Sequence, residues 1–189
     1  MSQAKVLTEA EIKRVLAVVD HTGKLAARNR LVVMLSFFGG MRAGEIAALK
    51  LYHVVNEDGS VRDRIHLLTN ETKGNRGRTV IMGKKLQKEI TRYLKTFSRN
   101  KPEAALIRSQ KGGHFSATTM VMLFRRIFDA AGIADARSHS GRRSFLTKLA
   151  QKGCSVFVLQ KLAGHKSIQT TQQYVVVNEV QLFSAADMI

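Results

Sequence analysis

The sequence predicts a mainly α-helical fold carrying one small antiparallel β-sheet, an α+β arrangement. Two observations predict it. Apolar residues recur every three or four positions in most of the chain, between recognisable helix start and stop signals. Only one pair of short β-branched runs, 61–68 and 78–82, is spaced as a hairpin. At 189 residues and 44% hydrophobic content the chain can bury one sizeable core, so 1–189 is read as a single domain.

Thr8-Glu9-Ala10-Glu11 is a capping box ahead of a helix with Ile12, Val15, Leu16 and Val19 on its apolar face. Leu25 to Phe38 continues as a strongly apolar helix that Gly39-Gly40 ends, because glycine takes the left-handed cap at least cost. Arg42 then emerges beyond a buried helix end. Gly39 to Gly44 has the glycine spacing of a phosphate loop, yet Glu45-Ile46 stand where lysine and a hydroxyl residue are needed, which excludes nucleotide binding of that kind. Ala43 to Lys50 reads as a short helix. On it Glu45, three residues after Arg42, either braces the guanidinium from behind or makes a simple surface ion pair.

The runs 61–68 and 78–82 form the hairpin, joined by the basic loop 69–77 that carries Lys73 and Arg76. Leu86, Ile90, Leu94 and Phe97 mark a helix from Lys84 to Phe97, and Pro102, the only proline, ends that unit. Leu106-Ile107 reads as a short strand. Ser116 caps a helix to Ala131 with Gly132 as its stop, its Met120, Leu123, Phe124, Ile127 and Phe128 being core. Two more helices follow, from about Ser140 to Lys152 and from Ser155 to Leu162, the latter stopped by Gly164. Ser167 or Thr170 then caps the turn that presents Tyr174.

Lys and Arg number 31 against 14 Asp and Glu, a formal net charge of +17 that favours a polyanionic partner through counterion release. Nucleic acid is the first candidate, beside a merely basic protein that binds polyanions nonspecifically. One cysteine, Cys154, allows no intrachain disulfide, and the six histidines show no paired metal-ligand spacing, so no metal and no cofactor are expected. No stretch is long and apolar enough to span a membrane, and no leader pattern opens the chain, so a cytoplasmic protein is expected, on the nucleoid when bound to DNA.

The chemistry-bearing side chains concentrate in the last third, from Ser138-His139-Ser140-Gly141-Arg142-Arg143 through Gly164-His165 to Tyr174. His139 and Arg142, three apart, share one helix face and can converge on one anion. The pattern H-x-x-R, then G-H, then Tyr nine residues on resembles the C-terminal box of the tyrosine recombinases, the phage integrases and Xer-like resolvases. Gly40-Met41-Arg42-Ala43-Gly44-Glu45 is similar to that family's first arginine box, and Thr72-Lys73-Gly74 stands where its hairpin lysine is expected.

The resemblance implies a site-specific recombinase whose catalytic set is Arg42, Lys73, His139, Arg142, His165 and Tyr174, with Glu45 supporting Arg42. Arg76, Arg78 and Arg143 are expected as DNA contacts. In that reading the two arginines stabilise charge growing on the phosphate. His139 assists the Tyr174 phenol, Lys73 protonates the leaving 5′ oxygen, and His165 bonds a phosphate oxygen. The product is a covalent 3′-phosphotyrosyl link, formed without metal or ATP and resolved by a second strand. Self-association on DNA as a dimer or tetramer synapse, with DNA-bending accessory proteins as further partners, is implied with it.

Two rivals stand beside this reading: a type IB topoisomerase sharing the chemistry, and a DNA-binding regulator that keeps the fold without catalysis. Gly141 replaces the family's usual apolar residue and Arg143 a frequent histidine, which implies a looser helix start. The opening at Leu7-Thr8 implies either an excised catalytic domain or a compact member similar to the fimbrial phase-variation recombinases. The apolar segment from Val175 to Phe183 is expected to pack on its own domain or on a neighbouring subunit, anchored by Leu182 and Phe183.

Overall fold

A computed structural model describes residues 3–68, 77–97, 101–110, 112–175, 182–183 and 186–187. Helix α1 (Glu9–Asp20) opens through its capping box: the Thr8 hydroxyl accepts from the Glu11 N–H at 3.2 Å, and Glu11 accepts the Thr8 N–H at 2.9 Å. Its apolar stripe, Ile12, Val15 and Val19, faces the core. A 3₁₀ turn, Gly23–Leu25, leads into α2 (Ala26–Gly39), which is buried on nearly every side. This is the central helix. Against it pack α1, α4 (Lys84–Leu94) and α6 (Ser140–Gln151). Gly40 ends it at φ 60°, where a Cβ would stand 2.6 Å from the Phe145 ring, so glycine answers both the backbone and the packing.

The short helix α3 (Ala43–Ala48) packs across α5 (Ala117–Ala130), which Ser116 caps and whose Met120, Phe124, Ile127 and Phe128 are buried. The sheet has two antiparallel strands, β1 (Arg64–Leu67) and β2 (Arg78–Ile81), in the register Arg64↔Ile81 to Leu67↔Arg78. Ile65, Leu67 and Val80 point inward, the period-2 face of a sheet half covered by core. α7 (Val156–Ala163) and the single-turn α8 (Gln169–Gln172) follow α6. They bury a second, smaller apolar cluster of Leu146, Ala150, Leu159 and Ala163, against which Phe145, Leu149, Cys154 and Tyr174 pack.

Several expected boundaries move. Strand β1 begins at Arg64 rather than Val61, since Val61 pairs with Val55 as an isolated bridge and the chain bends at Asp63. Leu106-Ile107 is not a strand: both side chains are fully buried, and Leu106 N–H donates to Leu49 C=O at 2.8 Å beside the lone bridge Lys50↔Ala105. Helix α4 stops at Leu94, where i→i−3 bonds from Thr96 to Tyr93 and from Phe97 to Leu94 tighten the last turn.

The start of α6 is closely packed, not loose. A Cβ on Gly141 would overlap the Ser36 hydroxyl and lie 2.9 Å from Ser36 Cβ, so the missing side chain lets α6 approach α2. A larger apolar residue would force the two helices apart. No helix among the described residues is long and apolar enough to cross a membrane.

Candidate active site

The site forms where α2, α3, β2, α6 and α7 meet. Arg42 is the N-cap of α3, in extended backbone just past the Gly40 turn, and its side chain stays 23% exposed. Glu45, on the first turn of the same helix, accepts the Arg42 backbone N–H at 2.8 Å and Arg42 Nη1 at 2.7 Å. Glu45 is almost wholly buried, which decides between the two sequence readings: the carboxylate braces Arg42 from the interior.

Glu45 also receives a second guanidinium. Arg78, the first residue of β2, donates Nε to Oε1 at 3.0 Å and Nη2 to Oε2 at 2.7 Å, a fork that matches the planar carboxylate. Burial alone would raise the Glu45 carboxyl, but Arg78 and then Arg42 outweigh it and hold the pKa at about 2. Removing one partner of such a buried pair costs about 3–5 kcal/mol, because the remaining charge is stranded.

Arg142 lies on the first turn of α6 and is only 4% exposed. Its Nη1 donates to Gly40 C=O at 2.7 Å and its Nη2 to Ala163 C=O at 2.6 Å. Arg78 repeats the pattern, with Nη1 on Leu162 C=O at 2.8 Å and Nη2 on Gly40 C=O at 3.3 Å. Carbonyls left open where α2 and α7 end therefore hold two arginines, and the negative end of the α7 dipole favours both. Burial first, and then the charges of Arg42 and Arg78, lower the Arg142 pKa to about 9, which leaves it a cation at neutral pH.

Gly164, left-handed at φ 61°, turns the chain out of α7 and presents His165. Arg142 Nη2 approaches His165 Nε2 at 3.1 Å, and the opposite ring nitrogen, Nδ1, lies 2.9 Å from the hydroxyl of the fully buried Thr171. Burial, reinforced by Arg142, Arg42 and Arg78, lowers the His165 pKa to about 4, so the ring is neutral at physiological pH. The Tyr174 ring stacks near-parallel to His165, 18° between planes and 6.0 Å between centroids, and is half-buried against the second apolar cluster. Cation, imidazole and phenol thus stand in one row.

Of the residues singled out from sequence, Arg42, Glu45, Arg142, His165 and Tyr174 are brought together. His139 is the N-cap of α6, with an exposed ring one turn before Arg142. Arg78, expected as an open DNA contact, is buried in the Glu45 fork. Arg143 points to the N-terminal segment, donating to Ala4 C=O at 2.7 Å and to the Gln3 side chain. Lys73 and Arg76 lie outside the described residues. Thr171 was missed: its one sequence signal is its position three before Tyr174, which puts both on one helical face.

The sequence model of the phage integrase family matches residues 5–180. Tyrosine recombinase XerA of Pyrococcus horikoshii is 30% identical over 187 residues, 98% of this chain and 61% of that protein, so the chain spans less than two thirds of this relative's length. Among solved structures, a XerA recombinase superposes over the whole chain and 64% of its own, with a TM-score of 0.75 at 24% identity. XerH site-specific recombinase, bound to palindromic difH substrate in a post-cleavage complex, matches 98% of this chain and 53% of its own, with a TM-score of 0.69 at 26% identity. A match from residue 5 to residue 180 takes in both arginines, the histidine pair and the tyrosine of the site, and the chain belongs to the phage integrase family.

Proposed function

We propose that this chain is a catalytic domain, acting as one unit over 1–189, that cleaves and rejoins double-stranded DNA at specific sites through Tyr174. One observation carries the reading: Arg142, His165 and Tyr174 stand in a row beside Arg42, in a protein of formal charge +17. Phosphate oxygens enter between Arg42 and Arg142, whose fixed N–H groups stabilise the charge that grows in the transition state. The Tyr174 oxygen attacks phosphorus and its phenolic proton passes to an acceptor, the role we assign to His139. The bond to the 5′ oxygen breaks, and that oxygen takes a proton from Lys73. A 3′-phosphotyrosyl bond stores the ester energy until a second 5′ hydroxyl reverses the steps. The reaction is expected to need neither metal nor ATP.

Assembly on DNA belongs to the same reading, as a dimer or tetramer synapse in the cytoplasm, at the nucleoid, with DNA-bending accessory proteins as further partners. Leu182 and Phe183 are 59% and 70% exposed, which supports docking of this segment on a neighbouring subunit. The test is a nicked suicide duplex carrying the recognition sequence selected from a random pool: a protein–DNA adduct through Tyr174 supports the proposal. Specific binding with no adduct under any salt or pH condition overturns it in favour of a non-catalytic binding protein.

A further inference from the structure

Two guanidinium groups, Arg42 and Arg78, converge on the Glu45 carboxylate, and Arg78 and a third, Arg142, converge on the carbonyls of Gly40, Leu162 and Ala163. Of the three, Arg42 alone keeps appreciable exposure at its side chain. Glu45 has two tasks that conflict. It must aim Arg42, and its negative charge, left alone, would cancel the positive charge that Arg42 brings to an anion. Arg78 is only 6% exposed at its side chain and takes both Glu45 oxygens, so it has little surface with which to meet a ligand. Gly164 supplies a second, independent observation: a Cβ there would stand 2.6 Å from Arg78 Cδ, so the turn before His165 is shaped around the Arg78 stem.

We propose that Arg78 is a positioning residue, which neutralises Glu45 so that the carboxylate orients Arg42 without quenching its charge toward the scissile phosphate. Because Arg78 opens β2, it also roots the hairpin between the α7 end and the Arg42 turn. This inference rests on the strand-cleaving reading above. It differs from a DNA-contact role, in which Arg78 would itself meet a phosphate.

The experiment is single-turnover cleavage of the suicide duplex at saturating DNA, with DNA affinity measured across salt concentrations. Arg78→Met is expected to slow cleavage by about 10²-fold, the scale of losing one transition-state donor. Its affinity should stay within about threefold of the parent and its salt slope unchanged. Adding Glu45→Gln removes the uncompensated carboxylate and should recover at least about tenfold of the lost rate. A salt slope reduced by about one with intact cleavage makes Arg78 a phosphate contact and overturns the proposal. So does a double variant no faster than Arg78→Met.

If Arg78→Met does not fold, Arg78→Lys keeps a charge beside Glu45 and should cleave within about tenfold of the parent, whereas a loss of about 10²-fold would overturn charge compensation. A parent protein that forms no adduct at all refutes the functional reading instead, so the two failures are told apart.

Discussion

Arg142 Nη2 lies 3.1 Å from His165 Nε2, and since a guanidinium only donates, His165 must accept at that nitrogen. Its proton therefore sits on Nδ1, facing the Thr171 hydroxyl at 2.9 Å. The free protein holds a neutral histidine of one defined tautomer between a buried cation and the Tyr174 ring.

A pH dependence of stability follows. The folded His165 pKa, about 4, lies below its ordinary 6.5, so between these values the unfolded chain binds a proton that the folded one does not. Stability should therefore fall as pH drops from about 6.5 toward 4. Glu45, at about 2 against an ordinary 4.5, adds a further loss below about 4.5. Thermal melts across this range check it: His165→Gln should flatten the segment between pH 6.5 and 4.5, and an unflattened curve would mean that another group is responsible.

Thr171 can accept from Nδ1–H in the free protein and donate to Nδ1 when a phosphate draws a proton to Nε2. Thr171→Val keeps the shape and removes both options, so cleavage should fall by about tenfold while Thr171→Ser stays near the parent. A valine variant as fast as the parent would leave Thr171 a packing residue only.

Tyr174→Phe should bind DNA within a few-fold of the parent and form no covalent adduct, because only the hydroxyl is lost. Arg42→Ala and Arg142→Ala should each slow cleavage by about 10²–10³-fold. Arg142→Ala should also lower the melting temperature, since the Ala163 carbonyl loses its buried donor and the Gly40 carbonyl the nearer of its two, whereas the part-exposed Arg42 should cost less stability.

Gly141→Ala presses a methyl group into Ser36 and should destabilise the fold by about 1–3 kcal/mol, the usual cost of overpacking. Ser36 Oγ is buried with no hydrogen-bond partner among the described residues, so Ser36→Ala alone should be close to neutral. In combination it should recover part of the Gly141→Ala loss, and urea melts of the four proteins measure the coupling.

Removing residues after Asn178 takes away the exposed Leu182 and Phe183. Cooperative assembly on DNA, followed by gel shift, should weaken while the melting temperature stays unchanged. A drop in melting temperature with assembly intact would place the segment on its own domain.

The helices, the strand pair and the order of the site residues are legible in the sequence, because these rest on local signals: capping boxes, apolar periodicity, glycine stops and fixed spacings around Arg42, Arg142, His165 and Tyr174. Which charged groups are buried together is not legible there. Arg78 reads as one more basic residue of a hairpin, and only the docking of β2 against α3 and the α7 end turns it inward onto Glu45. Gly141 reads as a weak helix start until α2 lies against it. Thr171 is one hydroxyl among several until the turn at Gly164 brings His165 onto it. In each case the deciding partner is distant in sequence or reached through a backbone turn, and a contact of that kind exists only once the chain has closed on itself.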